Sequence, residues 1–574
     1  MRERVCRHAP TLALLLSICG ASSVLAAQVQ RDQVLRHTAT LFGDRTNANF
    51  GSSIATGYDL DGGGKNDFLI GAPEDSSTQL SHGLVRAVRG EDHVPLWTLR
   101  GAMGDRFGAN VAMLGDIDGD KVPDFAIGAW GGEQSSATNQ EGYVEFWATA
   151  GGINGYPRAI GRVWGGKAGA HLGETLCAVP DINNDGVTDL LVGANQNGTG
   201  PGFALLISGK TQTVLRRLVS PFAVSTNLKD NFGTSVAAGD LTRNGIPELL
   251  IGAPGETAMT QANAGRIYVF DAVTGKATRW FDGTAGKRLG FGALHVMPRY
   301  LKTGQPAVLA GVPKLGANHG GLEIYDPATG TVAAMLLGAR SGDGLGFSMA
   351  AVGDQDADGF EDYLVGTIAW SPTTPGSAAV VSGKTLTFHA TLPLFVGDAN
   401  FDLFGYAVAN AGDLDADGID DFAISALLDD DGAPDSGSVR FLTAKAYEVS
   451  SDSHVVDVAL GGQQVIRIDA GPLHANEFYL VLGSMTGTAG IRVGNLVIPL
   501  TADIYTNLTL QNLNSSLIFD SFRRLDASGR RNAIWTAIPP ATALRGLMLY
   551  HSVVRFDASG QIQAASRALP LSLR

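Results

Sequence analysis

Of 574 residues, only three are cysteine, 7% are aromatic and 17% are charged, and 42 lysines and arginines fall short of 56 acids to leave a formal net charge of −14. A chain so short of basic residues lacks the positive face that phosphate binding requires, which argues against a nucleic-acid partner. No apolar run reaches the ~20 residues that cross a bilayer as a helix, so no membrane span is expected. The longest early run, Thr11–Ile18, follows Arg2, Arg4 and Arg7 and leads into small residues ending Val24-Leu25-Ala26. That order is the one a secretory signal has, so residues 1–27 are expected to be a signal peptide cut after Ala26 or Ala27. The destination is then secreted, extracellular or cell-surface, with the periplasm as a variant. Cys6 and Cys19 fall in that segment, leaving Cys177 alone and no intrachain disulfide. A secreted chain without disulfides has to be held by its core or by metal.

What is abundant is glycine, at 75 residues about twice its usual share. The glycines belong to a phrase that returns seven times: FGSSIATGYDLDGGGKNDFLIGAP from Phe50, FGANVAMLGDIDGDKVPDFAIGAW from Phe107, LGETLCAVPDINNDGVTDLLVGAN from Leu172, and drifted copies from Phe232, Leu289, Leu345 and Phe404. Such a period signals a repeat architecture. Each copy reads as a short strand after Phe-Gly, an acidic turn, and a buried apolar strand such as Phe68-Leu69-Ile70. Two more strand-like runs follow, joined by turns such as Ser208-Gly209-Lys210, Asp271 to Gly275, Asp326 to Gly330 and Ser382-Gly383-Lys384. Four short strands per repeat is the pattern of a propeller blade, and seven blades close a ring without an exposed long edge. The run from Val34 to Gly43 resembles the fourth strand of later copies and is expected to complete the seventh blade.

The recurrence of Phe-Gly, an Asp-rich turn and Gly-Ala-Pro, in that order over about 400 residues, resembles the FG-GAP repeats of the integrin α-subunit propeller and of bacterial secreted proteins. The resemblance implies a seven-bladed propeller with Ca²⁺ in loops between the first two strands of some blades. The turns can be read on their own chemistry. Ca²⁺ takes six to eight oxygens, and a nine-residue turn with carboxylates or amides at positions 1, 3, 5 and 9 and a carbonyl at 7 can wrap one ion. Glycine at position 6 supplies the sharp bend. Loops three, six and seven meet every requirement, with Asp181, Asn183, Asp185, Val187 and Asp189; Asp354, Asp356, Asp358, Phe360 and Asp362; and Asp413, Asp415, Asp417, Ile419 and Asp421. Loop two keeps Asp116, Asp118, Asp120, Val122 and Asp124 but has Lys121 at the bend, and loop one keeps Asp59, Asp61 and Asp67 with Gly63 at position 5. Both are expected to bind more weakly. Loop four (Asp240, Thr242, Asn244, Glu248) is a poorer set, and loop five (Pro298, Tyr300, Lys302, Gly304, Pro306) has lost the donors. Asp and Asn favour solvated turns even without an ion. Yet packing so many carboxylates into nine residues is repulsive unless a cation is present.

Other motifs carry less. Gly209-Lys210-Thr211 and Gly383-Lys384-Thr385 look like the end of a phosphate loop but have Ala204 and Ala378 where the earlier glycine is required, and they fall between strands. No nucleophile elbow, HExxH or zinc spacing occurs. His171, His295, His389 and His474 read as packing or surface residues, and Cys177 as part of an apolar strand. The resemblance implies that the loops after Gly-Ala-Pro lie on the face opposite the metal turns, where a family propeller docks partners. They carry Trp130 and Trp370, candidates for stacking on a sugar or anchoring a protein, and the acids Glu74, Asp75, Asp429, Asp430 and Asp431.

After Tyr447 the repeat stops. From Val455 to Arg574 there is no lysine, ten arginines stand against seven acids, and strand-like runs occur at Gln464–Ile468, Glu477–Leu482, Leu496–Pro499, Asn532–Ile538 and Leu547–Phe556. The phrase Leu-Asp-Ala-Ser-Gly at Leu525 is echoed as Phe-Asp-Ala-Ser-Gly at Phe556, two hairpin turns of one type. The expected architecture is all-β: a seven-bladed propeller over 28–449 followed by a small β-sandwich over 450–574. The expected function is that of a non-enzymatic binding or adhesion module, stabilised by Ca²⁺, for protein or glycan ligands on the face opposite the calcium loops. A polysaccharide lyase or hydrolase on the same scaffold is the alternative, and a surface-layer structural protein a third reading. The five plausible loops hold eighteen carboxylates against a net charge of −14, so the acidity belongs to the turns.

Overall fold

A computed structural model describes residues 33–574 apart from 77–80, 135–139, 150–155, 197–199, 223–228, 258–260, 301–303, 340, 356–358, 369–373, 390–391, 393, 416–418, 447, 452–454, 471–475, 487–490, 494–495, 499, 517, 528–529, 557–561 and 566–568. The expected signal peptide, Asp356, Asp358, Asp417, Trp370 and His474 therefore lie outside the described residues. The described chain is nearly all strand and divides into two compact units, one mainly of residues 36–443 and the other mainly of 444–574.

In the first unit the described residues form seven four-stranded antiparallel sheets, as a propeller requires. Sheet one runs Ser53–Ala55, Phe68–Ala72, Leu84–Val88 and Pro95–Arg100 in order, and sheet two Phe107–Gly115, Asp124–Ala129, Tyr143–Ala148 and Arg158–Trp164. Sheets three to six follow the same order from Leu172, Val236, Leu294 and Leu345. Sheet seven takes three strands from Phe404–Gly412, Asp421–Ala426 and Ser438–Ala446, and its outer fourth strand is the N-terminal Gln33–Phe42. Thr38 Oγ1 donates to the Phe441 carbonyl at 3.0 Å and Gly43 N to the Gly437 carbonyl at 2.9 Å, tying that strand in place.

The second strand of each sheet is buried from end to end (Asp124–Ala129, Asp189–Ala194, Glu248–Ala253), which explains its continuous apolar pattern. The hydrophobic core is correspondingly divided into layers between neighbouring sheets. Ala112 and Leu114 of sheet two pack with Leu190 and Val192 of sheet three, and Phe50, Phe68 and Ile70 of repeat one pack with Ala423, Val439 and Phe441 of sheet seven. The rings of Phe68 and Phe441 meet edge to face at 4.7 Å. The innermost strand of sheet seven packs on that of sheet one, so the succession of sheets is cyclic.

The Phe-Gly and Gly-Ala glycines lock successive sheets. A Cβ on Gly128 would lie 1.9 Å from the carbonyl oxygen of Gly173, and one on Gly193 would lie 2.1 Å from that of Gly233. The same contact joins Gly71 to Gly108, Gly252 to Gly290, Gly311 to Gly346 and Gly366 to Gly405. At the closing junction Ser425 takes the place of the glycine and faces Gly51. Gly173 also has φ +94°, a conformation that a side chain strains.

In the second unit, one sheet orders Glu448–Ser451, Gly462–Asp469, Arg530–Ile538 and Ile518–Phe519. The other runs through Val455–Val456, Leu569–Leu573, Met548–Phe556, Phe478–Ser484 and Phe522–Arg524. Ile466, Ile468 and Ile534 of the first share a buried cluster with Tyr479, Val481 and Val553 of the second. A helix at Ile504–Gln511 has no counterpart in the sequence reading; Asp503 caps it by accepting from Thr506 N, while Thr506 Oγ1 receives the Asp503 N–H. His551 is fully buried, its Nδ1 2.8 Å from Gln464 Oε1 and its Nε2 2.9 Å from the Tyr505 hydroxyl. Burial lowers its pKa to about 4.

Two outcomes are expected. Gly173→Ala should cost more than about 2 kcal/mol in denaturant unfolding, through clash and φ together. Because the folded pKa of His551 lies below its unfolded value of ~6.5, the unfolded chain binds the extra proton. The contribution of this histidine is then full above pH ~6.5 and declines by roughly 3 kcal/mol as pH falls to 4, opposite in sign to that of the raised carboxylates. A titration of unfolding free energy on wild type and His551→Gln should show this slope only in wild type.

Candidate metal loops

In loops one to three the turn after the first strand is built by its own carboxylates. In loop one Asp59 accepts from Gly62 N at 2.7 Å, Gly63 N at 3.1 Å and Gly64 N at 2.7 Å, which curls the backbone around the side chain. Asp116 does the same for Gly119, Asp120 and Lys121, and Asp181 for Asp185 and Gly186. Position 6 is left-handed wherever it is described: φ is +95° at Gly64, +88° at Gly186, +83° at Gly245 and +82° at Gly359. Lys121 adopts φ +74° at the same place, so the lysine bends as the glycines do but under strain.

Position 9 has a role the sequence reading did not separate from metal binding. Asp67, Asp124, Asp189, Asp362 and Asp421 are wholly buried. One oxygen of Asp67 accepts from Leu60 N at 2.7 Å in the loop, and the other from Gly90 N at 2.9 Å in the hairpin between strands three and four. Asp124 binds Ile117 N and Thr149 N, both at 2.8 Å, and Asp189 binds Ile182 N at 2.9 Å and Gly209 N at 3.3 Å. Asp362 holds Gly383 N at 3.0 Å, and Asp421 holds Leu414 N at 2.7 Å. The position-9 carboxylate is thus a staple between the metal turn and the neighbouring hairpin. Burial, together with the charges of its loop partners, pushes Asp67, Asp124 and Asp189 up to about 6. A cation beside them would relieve that cost.

Carboxylate oxygens converge to within 4.8 Å of one another in Asp59, Asp61 and Asp67, in Asp116, Asp118 and Asp124, and in Asp413, Asp415 and Asp421. Convergent hard oxygens, a preformed bend and buried carboxylates raised in pKa together fit a divalent cation. Loop three offers an amide, Asn183, rather than a carboxylate at position 3. Asp185 there turns to accept from Ser208 Oγ at 3.0 Å and Asn183 Nδ2 at 2.8 Å. Asp120 accepts from Val122 N at 2.8 Å. In loop six Asp354 accepts from Gly359 N at 2.8 Å, while Arg299 lies 4.0 Å over the Phe360 ring. Loop four closes on itself, Thr242 Oγ1 donating to Glu248 at 3.1 Å, and in loop five Tyr300 N donates to the Gln305 carbonyl at 2.9 Å.

At the opposite ends of the strands, Trp130 is half-buried between the Arg106 guanidinium, 4.2 Å from its ring, and the His171 ring at 4.7 Å. Arg106 is itself held by Glu74 at 2.7 Å. Asp429 joins Asp398 and Asp402 in a further acidic group that Arg440 partly neutralises. Asp402 was not singled out from the sequence. Its signal is the acid two residues before Phe-Gly or Leu-Gly, shared with Asp105, Asp230 and Asp343. Asp105 accepts the Tyr143 hydroxyl of the following sheet at 2.6 Å, whereas Asp230 accepts the Gly202 N–H of the preceding sheet at 2.9 Å. Gly209-Lys210-Thr211 lies in the hairpin between Phe203–Ile207 and Val214–Leu218, where Ser208 N bonds the Thr213 carbonyl at 2.9 Å. Cys177 is only partly buried on the innermost strand of sheet three, and burial raises its thiol to about 11.

Against known proteins, the FG-GAP repeat family matches residues 172–206 and 232–270. Integrin alpha-V of Gallus gallus is 28% identical over 245 residues, 41% of this chain and 22% of its own length. Integrin alpha-X of Homo sapiens is 32% identical over 183 residues (30% and 15%), and integrin alpha-5 of Xenopus laevis 25% over 237 (40% and 22%). The matched part spans about a fifth of these relatives' length.

Substitutions can separate staple from ligand. Asp189→Ala leaves two buried N–H groups unpaired and should cost about 2–4 kcal/mol even in chelator. Asp118→Asn should leave chelated stability nearly unchanged and remove the calcium-induced gain of its loop. Lys121→Gly should stabilise the metal-free protein by about 0.5–1 kcal/mol, read by denaturant midpoint.

Proposed function

Starting from an integrin α-like FG-GAP repeat chain, we propose that this protein is a secreted, calcium-stabilised, seven-bladed propeller followed by a β-sandwich, and that it works as a non-enzymatic binding or adhesion module. The observation that carries the reading is the gathering of carboxylates at the same turn in repeats one, two and seven, in a chain similar to integrin α subunits. The residues that would hold Ca²⁺ are Asp59, Asp61 and Asp67; Asp116, Asp118, Asp120 and Asp124; Asp181, Asn183, Asp185 and Asp189; and Asp413, Asp415 and Asp421. In loop six, Asp354 and Asp362 would do so together with Asp356 and Asp358. Val122, Val187, Phe360 and Ile419 would contribute their carbonyls. Bound Ca²⁺ supplies positive charge that cancels the mutual repulsion of each turn and ties the first two strands of a sheet together.

A protein or glycan ligand is proposed to dock on the opposite face, whose loops carry Trp130. The clamp formed by Arg106 and His171 fixes the indole, which lowers the entropy cost of contacting a partner. Trp370 belongs to the equivalent loop of repeat six.

Calorimetry on chelator-treated full chain should show Ca²⁺ binding with a rise in melting temperature, and absence of both would defeat the calcium reading. A glycan array run beside turnover assays on acidic polysaccharides tests the rest. Binding without turnover, weakened about tenfold or more by Trp130→Ala, is expected, whereas turnover would make the protein an enzyme.

A further inference from the structure

In loops one and two an arginine from outside the turn sits on the position-3 carboxylate. Arg89, in the hairpin between the third and fourth strands of sheet one, places Nε 2.7 Å from Asp61 Oδ2. Arg158, opening the fourth strand of sheet two, places Nη2 2.7 Å from Asp118 Oδ2. The turns do not need these arginines for their shape, because the other oxygen of each aspartate already receives a loop N–H: Gly63 N at 2.9 Å on Asp61 and Asp120 N at 3.3 Å on Asp118. What the arginine adds is charge. In loop three position 3 is the neutral Asn183, the position-5 Asp185 receives Asn183 and Ser208, and Lys210 binds the Asp185 backbone carbonyl at 2.7 Å. Loop four uses the hydroxyl of Thr242.

We propose that Arg89 and Arg158 are resident counter-ions of loops one and two, which screen the converged carboxylates when no metal is bound and lower the Ca²⁺ affinity of those two loops. The inference rests on the calcium reading above. A cation fixed on one side of a ligand carboxylate repels an arriving Ca²⁺ through that group. At about 6 Å in a largely aqueous setting, with salt screening, the repulsion amounts to roughly a three- to tenfold loss of affinity. Loop one, with three carboxylates and one arginine, is left with a net negative charge that a single Ca²⁺ would neutralise. The weakness that Gly63 and Lys121 suggest for these loops therefore has a second, electrostatic cause in residues that the nine-residue pattern does not include.

The test is calcium titration of the full chain by calorimetry, comparing wild type with R89Q, R158Q, the double variant, and R89K. Glutamine retains an N–H donor without the charge, and lysine retains the charge. Both glutamine variants should tighten the weakest phase of the titration about three- to tenfold, more at low ionic strength, while R89K stays at the wild-type value. In chelator, melting of R89Q and R158Q should begin at lower temperature than wild type, because their carboxylates are unscreened. Unchanged or weaker binding in the glutamine variants would overturn the counter-ion role and leave the calcium sites standing. No Ca²⁺ heat in wild type would remove the sites and this inference with them.

Discussion

The architecture depends on one contact, the approach of backbone to backbone between the glycine of Phe-Gly in one repeat and the glycine of Gly-Ala in the repeat before. At Gly128 and Gly173 the Cα atoms are so close that an added Cβ on either side meets main chain rather than a movable side chain. With the inner strands this close, the apolar residues of neighbouring sheets interdigitate as layers, and each layer contributes only if its neighbours are present. That is why the closing junction matters. There Phe50 and Phe68 meet Val439 and Phe441, Ser425 faces Gly51, and the N-terminal strand supplies the outer edge that sheet seven lacks from its own segment.

The acidic turns sit on this frame as attachments, and their carboxylates divide the work. Position 1 shapes the turn by gathering its N–H groups, and position 9, buried, fastens the turn to the hairpin beside it. The remaining acid groups accept single loop or side-chain donors and add further negative charge. Three carboxylates within 4.8 Å of one another are unfavourable unless a cation joins them, and the fold has placed two arginines where they ease part of that repulsion. The same residues therefore account both for the shape of the turn and for a site that metal would complete.

Much of this was legible in the chain. The seven phrases, the strand after Phe-Gly, the buried second strand, the hairpins at Ser208 and Asp271 and the runs of the C-terminal unit all recur in the structure, because each is fixed by local periodicity and turn chemistry. Less legible was anything that depends on partners distant in sequence. The helix Ile504–Gln511 has a low amphipathic signal and is announced only by Asp503. The group of Asp398, Asp402 and Asp429 is assembled from segments that are separate in the chain. In loop three the hydroxyl of Ser208, twenty-three positions further on, donates to Asp185.

The sequence by itself determined the repeat, its strand order and the identity of the oxygens offered by each turn, because these follow from side-chain type and spacing within about sixty residues. Only the tertiary structure decided which carboxylates converge, which are buried staples and which carry a resident arginine. Those properties are set by the neighbouring hairpin and the neighbouring sheet, and electrostatics and desolvation depend on distances that spacing along the chain does not contain.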